Sequence, residues 1–312
     1  MKKNYHSLIL YGTFYALLIF LQVNCTSTVH NNKTSMEETN LFKPGTQPRL
    51  ISRQFAFTEG PAADMQGNVF FTDQPNNQIW KYSADGKLSL FTQHSARSNG
   101  LYIDPTGNIV GCADEKGQLV SFNSGAKMNV ILEGVNGVRM NGPNDLWIDA
   151  NGGIYFTDPY YERPYWEDPK PVQHKENVYY LSPGATQAIV VADDLVKPNG
   201  IIGTPDGKTL FVADIGDNKI FKYEIKSAGN ITGKKLFVPM GSDGMTLDND
   251  GNLYLTGKGV TIFDSSGKKI TNIPINEDWT ANLCFGGKDG KELFITASKG
   301  IYIMKMLVSG MK

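Results

Sequence analysis

Apolar residues along the chain fall in short runs, not in helical stripes. "VFFTD", "IVGCAD", "IYFTD", "TLFVAD", "LYLTG" and "LFITAS" are each bounded by turns rich in Gly, Asp and Asn. Runs of that length between turn residues read as buried strands. A second strand-like segment follows each: "QIWKYS", "QLVSFN", "VYYLS", "KIFKYE", "VTIFDS" and "GIYIMK". One frame recurs ahead of the runs. With Asn144 as the zero point, Asp149 lies five residues on and Gly152 eight on. Glu59 leads to Asp64 and Gly67, Asn99 to Asp104 and Gly107, and Asp243 to Asp248 and Gly251. Asn199 and Asn282 are followed at plus eight by Gly207 and Gly290. Six units therefore start at 59, 99, 144, 199, 243 and 282, with spacings of 40, 45, 55, 44 and 39. A period near 40 built from strands alone predicts an all-β fold, a six-bladed β-propeller. The plus-eight Gly supplies the positive φ that the hairpin turn requires.

A propeller must also close its ring. Unit six runs out near Met306, leaving little for an outermost strand, whereas "RLISRQFAF" at 49–57 reads as a strand ahead of unit one. This segment is expected to pair into the last blade.

The first 25 residues belong to a different class. Lys2 and Lys3 precede an apolar run at 8–21, "LILYGTFYALLIFL". A membrane span needs roughly 20 residues, so this run has the length of a signal-peptide core. It ends in "LQVNC", which resembles a bacterial lipobox, although Gln22 and Asn24 depart from its small-residue form. Residues 1–25 are expected to be a signal peptide of lipoprotein type with Cys25 lipidated. Ordinary cleavage that leaves a free Cys is the alternative. The expected location is exported, periplasmic or at the cell surface. Residues 26–49 are polar and aperiodic and read as a flexible tether, leaving 50–312 for the propeller. Cys112 and Cys284 lie far apart in apolar segments and read as buried free thiols.

Composition narrows the partners. The net charge is −1, and no basic run is present, so nothing points to nucleic acid or to a polybasic membrane contact. The only membrane link expected is the anchor on Cys25. A monomer is expected.

In a propeller the first strand of each blade lines the central channel. The six zero residues, Glu59, Asn99, Asn144, Asn199, Asp243 and Asn282, should then ring one mouth. All carry side-chain oxygens and two are carboxylates. Asn and Asp also serve as turn residues, but Glu59 fits that explanation poorly. Two carboxylates on a narrow axis would repel unless a cation sat between them. The pattern points to one hard divalent ion on oxygen ligands: calcium first, then magnesium or manganese, with zinc possible.

"EGPAADMQGNVFFTD", "GPNDLWIDANGGIYFTDPYY", "KPNGIIGTPDGKTLFVAD" and "SDGMTLDNDGNLYLT" resemble the gluconolactonase, or senescence-marker-protein (regucalcin), family over roughly residues 50 to 306. The resemblance implies a six-bladed propeller that holds one divalent ion at the channel mouth and hydrolyses lactones, commonly sugar lactones such as gluconolactone. It implies that Glu59, Asn199 and Asp243 bind the metal, that Asp243 is also the catalytic acid/base, and that Asn144 lies against both ion and substrate. Asn99 joins the substrate side by repeat register alone. Some relatives carry a substrate-binding Arg two residues before the Asn144 position. Here that residue is Gly142, with Arg139 the nearest Arg.

Ester hydrolysis needs a polarised carbonyl, an attacking water and a proton for the leaving alkoxide, which a cation and Asp243 could supply between them. Serine-nucleophile chemistry has no GxSxG elbow to work from. The histidines, His6, His30, His94 and His174, offer no placed dyad. The long 55-residue spacing comes from an insert at 159–175, "PYYERPYWEDPKPVQHK". Its Tyr160 and Trp166 are candidate substrate-binding faces, and the loop is a candidate cover for the mouth. Two alternatives stand beside the lactonase reading. One is a non-catalytic surface propeller binding a sugar or a protein; the other is an aryl-ester or organophosphate hydrolase on the same scaffold.

Overall fold

The computed structural model describes residues 39–311, apart from 167–169, 171–172 and 174. The expected signal peptide, Cys25 and His174 lie outside the described residues. The described chain forms six four-stranded antiparallel sheets in a ring. The innermost strands are Thr58–Ala63, Ser98–Ile103, Leu146–Ile148, Pro198–Gly203, Met245–Leu247 and Thr280–Gly286. The six-bladed propeller read from the 40-residue period is the observed fold.

Period-two alternation explains why the strands look apolar throughout. Successive side chains leave a strand on opposite faces. Each blade is sandwiched between two neighbours, so both faces must be apolar. Phe156 and Tyr179 pack in the seam with the second blade, whereas their neighbours Tyr155, Val178 and Tyr180 pack in the seam with the fourth. Phe70 and Phe71 divide in the same way between the second and sixth blades. The buried apolar side chains thus form six clusters, one per seam.

The hairpins follow the frame read from the sequence. Asp64 Oδ1 accepts from the backbone N–H of Gln66 and of Asn68, and Asp104, Asp149 and Asp248 repeat this pair of bonds. The plus-eight glycines have φ between 66° and 87°.

Ring closure is also as expected. The strand Arg49–Ser52 pairs antiparallel with Gly300–Lys305, so the chain start supplies the outermost strand of the last blade. Farther along the same segment, Phe55 is buried against Phe71 and Trp80. The packed region begins earlier than Arg49, where the sequence reading ended its tether. Leu41 and Phe42 are buried among residues of the fifth and sixth blades, and the Leu41 carbonyl accepts from Leu307 N–H at 2.7 Å. Apolar residues inside a polar segment gave too short a signal to separate a docked piece from a loose one.

A chain starting at Glu59 loses that outer strand together with Phe55, Phe42 and Leu41. Deleting one buried Phe side chain costs about 3–5 kcal/mol. The truncated chain is therefore expected to melt at least about 10 °C lower, or not to fold. Thermal denaturation followed by circular dichroism checks this, and an unchanged midpoint would contradict the closure account.

Candidate functional site at the channel mouth

In the first, third and fourth blades the zero residue is aimed by a loop whose backbone is tied down by an acid from the neighbouring strand. Asp73 accepts from Ala56 and Phe57 N–H, Asp158 from Asn141 and Gly142 N–H, and Asp214 from Val196 and Lys197 N–H. These are the acids of the repeated "FTD" and "VAD" segments, whose structural role was not apparent from sequence. Thr72, Thr157 and Thr256 then hydrogen-bond the carbonyl of the next blade's zero residue, so adjacent blades hold each other in register.

These bonds correct one expectation. Thr72 reaches the carbonyl of Asn99 and Thr157 that of Asn199, but Thr256 reaches Ala281, not Asn282. Likewise Gly100 N–H donates to Asn144 O, and Gly244 N–H to Ala281 O. Ala281 is therefore the zero residue of the sixth blade. Its inner strand, Thr280–Gly286, runs one residue longer before the hairpin, so counting back eight from Gly290 stops one residue short. Asn282 stands instead where the third blade has Asp145. Both side chains accept from the following backbone N–H, Leu283 and Leu146 respectively. The mouth is thus ringed by five oxygen-bearing zero residues and an alanine, with Asp145 and Asn282 one step deeper.

Glu59 is buried, and its Oε2 accepts from Gly60 N–H at 2.5 Å and from Asn282 Nδ2 at 3.2 Å. Burial, followed by the nearby charges of Asp243 and Asp145, raises its pKa well above the usual carboxylate range. Asp243 is half-buried. Its Oδ2 accepts from Trp279 Nε1 at 2.6 Å, and burial pushes its pKa up to about 6. Asp145 is buried with a pKa pushed up to about 7, mainly by burial. Three carboxyl groups therefore interact on one axis, one more than the repeat register had suggested. Asp145 follows the zero residue at a position where four other blades have a glycine, Gly60, Gly100, Gly200 and Gly244.

Asn199 is buried, and its Nδ2 donates to the Tyr161 hydroxyl at 2.9 Å. Its Oδ1 is buried without a hydrogen-bond partner. A buried amide oxygen left unpaired carries a desolvation cost of roughly 1–3 kcal/mol. It stands beside Asp243, with which its side chain also interacts. Two mutually repelling carboxylates and an orphaned carbonyl suit a hard cation, and their donor set is all oxygen. Among the described residues, no three His, Cys, Asp or Glu side chains gather as a metal cluster. The fit therefore rests on amide oxygens as much as on carboxylates.

The other sequence-predicted residues lie around this set. Asn99 Nδ2 donates to the Asn144 carbonyl at 3.2 Å, and both residues are buried. Trp166 is buried in the insert, with its Nε1 donating to Asp114 O and the Arg139 guanidinium 4.2 Å above its ring. The Tyr160 ring lies 6.0 Å from that of Trp166. The insert ring that reaches Asn199 is the next one, Tyr161, whose pKa is pushed up to about 12 by burial and by the charge of Asp243. Below the mouth the channel holds a cavity of about 480 Å³, lined by Leu101, Ile201, Met245 and Leu283 with Asp145 and Asn282. Cys112 is buried and Cys284 half-buried; both are free thiols whose pKa values burial raises.

Comparison with known proteins bears on this site. The sequence profile described as "SMP-30/Gluconolactonase/LRE-like region" matches residues 57–299. The gluconolactonase of Zymomonas mobilis is 28% identical over 282 residues, spanning 81% of this chain and 79% of its own. The lactonase drp35 of Staphylococcus aureus is 27% identical over 242 residues, 72% of each chain. Among solved structures, a gluconolactonase from Xanthomonas campestris superposes with a TM-score of 0.77 at 27% identity, covering 82% of this chain and 88% of that one.

Proposed function

The chain belongs to the SMP-30/gluconolactonase/LRE-like family, and on that premise we propose that it is a lactone hydrolase working at the channel mouth. Sugar lactones such as gluconolactone are the proposed substrate class, since its relatives include gluconolactonases. The observation that carries the reading is the grouping of Glu59, Asp243 and the unpartnered Asn199 Oδ1 on one axis. These three would hold one divalent ion, calcium by preference, with Asn144 beside it. When bound, such an ion polarises the lactone carbonyl and acidifies water.

The chain's own residues supply the rest. Trp279 Nε1–H fixes one oxygen of Asp243 and thereby orients the other. Asp243 takes a proton from the attacking water and returns it to the ring oxygen as that oxygen leaves. Apolar walls below the mouth and the insert above it limit water around the reacting carbonyl. Release of the open hydroxy acid completes the cycle. We further propose that the protein is exported and tethered through Cys25.

A panel of γ- and δ-lactones, assayed for acid release, tests the reading. Turnover of at least one sugar δ-lactone is expected. Saturable binding of sugars without turnover of any lactone would favour a non-catalytic propeller, and turnover of aryl esters alone would favour an arylesterase.

A further inference from the structure

The second blade lacks the acid that ties down the loops of the first, third and fourth blades. Where the first, third and fourth blades place Asp73, Asp158 and Asp214 under the loop, the second has Ala113. The acid has moved one residue on, to Asp114. Its carboxylate does not tie its own loop; it receives side chains from elsewhere. Asp114 is buried, and its Oδ2 accepts from Arg163 Nε at 2.5 Å, Gln74 Nε2 at 2.9 Å and the Tyr165 hydroxyl at 3.0 Å. Two of these three donors come from the insert. The Asp114 carbonyl also accepts from Trp166 Nε1 at 3.0 Å. Asp114 is thus the anchor that seats the insert against the second blade.

This anchoring fixes a cation beside the mouth. The Arg163 guanidinium stands 5.7 Å from the centre of the Tyr161 ring, whose hydroxyl meets Asn199. Its side chain is a quarter exposed. Among the described residues only Nε donates a hydrogen bond, so the two terminal nitrogens keep their donors. A guanidinium held at Nε and open at its fork is pre-organised to take two oxygens side by side. It also lies near enough to Asp243 to lower that residue's pKa. We infer that Arg163 is a substrate-positioning residue, binding vicinal hydroxyls or the carboxylate of a sugar lactone or its acid product, and that Asp114 sets its position. This rests on the lactonase reading for its substrate class but not for its geometry.

Two measurements on calcium-loaded protein test it: steady-state kinetics with glucono-δ-lactone, and calorimetric titration with gluconate. Arg163→Gln is expected to raise KM, and the gluconate Kd, at least about ten-fold, with kcat within about three-fold. Calcium affinity should stay within about two-fold, since Arg163 is not among the proposed ligands. Arg163→Lys should recover only part of the loss, because a single ammonium cannot present the fork. Asp114→Asn should shift KM in the same direction through Arg163. Unchanged KM and gluconate affinity in Arg163→Gln would overturn the inference, as would loss of calcium affinity in step with KM. Wild-type protein that binds gluconate but turns over no lactone would refute the lactonase reading, while the gluconate titration still decides the role of Arg163. Wild-type protein that does neither refutes both.

Discussion

Replacing Asp243 by Asn is expected to lower kcat/KM for lactone hydrolysis by about 10³-fold or more while leaving the fold intact. A positioned general acid/base contributes about 10²–10⁴-fold, and the change also removes a charge from the proposed cation site. The fold should survive for two reasons. Asp243 precedes the strand Met245–Leu247, and its carboxylate is bonded to Trp279, which an amide oxygen can still accept from. The substitution also relieves the like-charge interaction with Glu59. Kinetics alongside thermal unfolding check the pair of outcomes. Near-normal turnover would remove Asp243 from the mechanism, and loss of activity together with loss of folding would leave it a structural residue.

The second large effect concerns Glu59 and changes sign with metal. In metal-free protein, Glu59→Gln should stabilise the fold. The side chain is buried, and burial together with Asp243 and Asp145 raises its pKa. A carboxyl whose folded pKa lies above its unfolded value favours the folded state at low pH. That advantage is lost as pH climbs from about 4.5 through the folded pKa. Metal-free wild-type protein should therefore lose stability as pH rises through this window, and Glu59→Gln should lose less. With calcium at a hundred times its Kd, wild type gains about 2.7 kcal/mol by mass action, on the order of 5 °C or more in midpoint. The variant, lacking a ligand, gains far less. The order of stability should therefore invert between chelator and saturating calcium. Thermal scans in both conditions at two pH values check this, and a variant that stays below wild type throughout would show that Glu59 holds the fold and not an ion.

Most of the fold was legible because it repeats. Six copies of one turn frame reveal the blade count, and the absence of a strand after Met306 reveals how the ring closes. The places where reading failed are places where the copies differ. Asn282 was assigned one position out because the sixth inner strand is a residue longer, which shifts the Gly used to count back. Asp145 was passed over because its counterparts in several blades are glycines. The backbone approaches closely there: a Cβ on Gly100 would fall 2.5 Å from Asp145 Oδ1, and one on Gly244 would fall 2.0 Å from the Asn282 side chain. Those glycines make room for the two deeper side chains, a relation between neighbouring blades that no single unit displays. Arg163 and Tyr161 lie in the one segment that is not repeated, so their approach to Asp114 and Asn199 depends on how the insert folds back. The docking of Leu41 and Phe42 against blades more than 200 residues away was invisible for the same reason.

The central claim is that Glu59, Asn199 and Asp243 work by holding a divalent cation. The direct measurement is lactone hydrolysis after exhaustive chelation, followed by adding back calcium, magnesium, manganese and zinc one at a time. Hydrolysis should disappear on chelation and return with calcium, with an apparent affinity that matches calcium binding by calorimetry and is lost in Asp243→Asn. Full activity in protein shown to be metal-free would contradict the account.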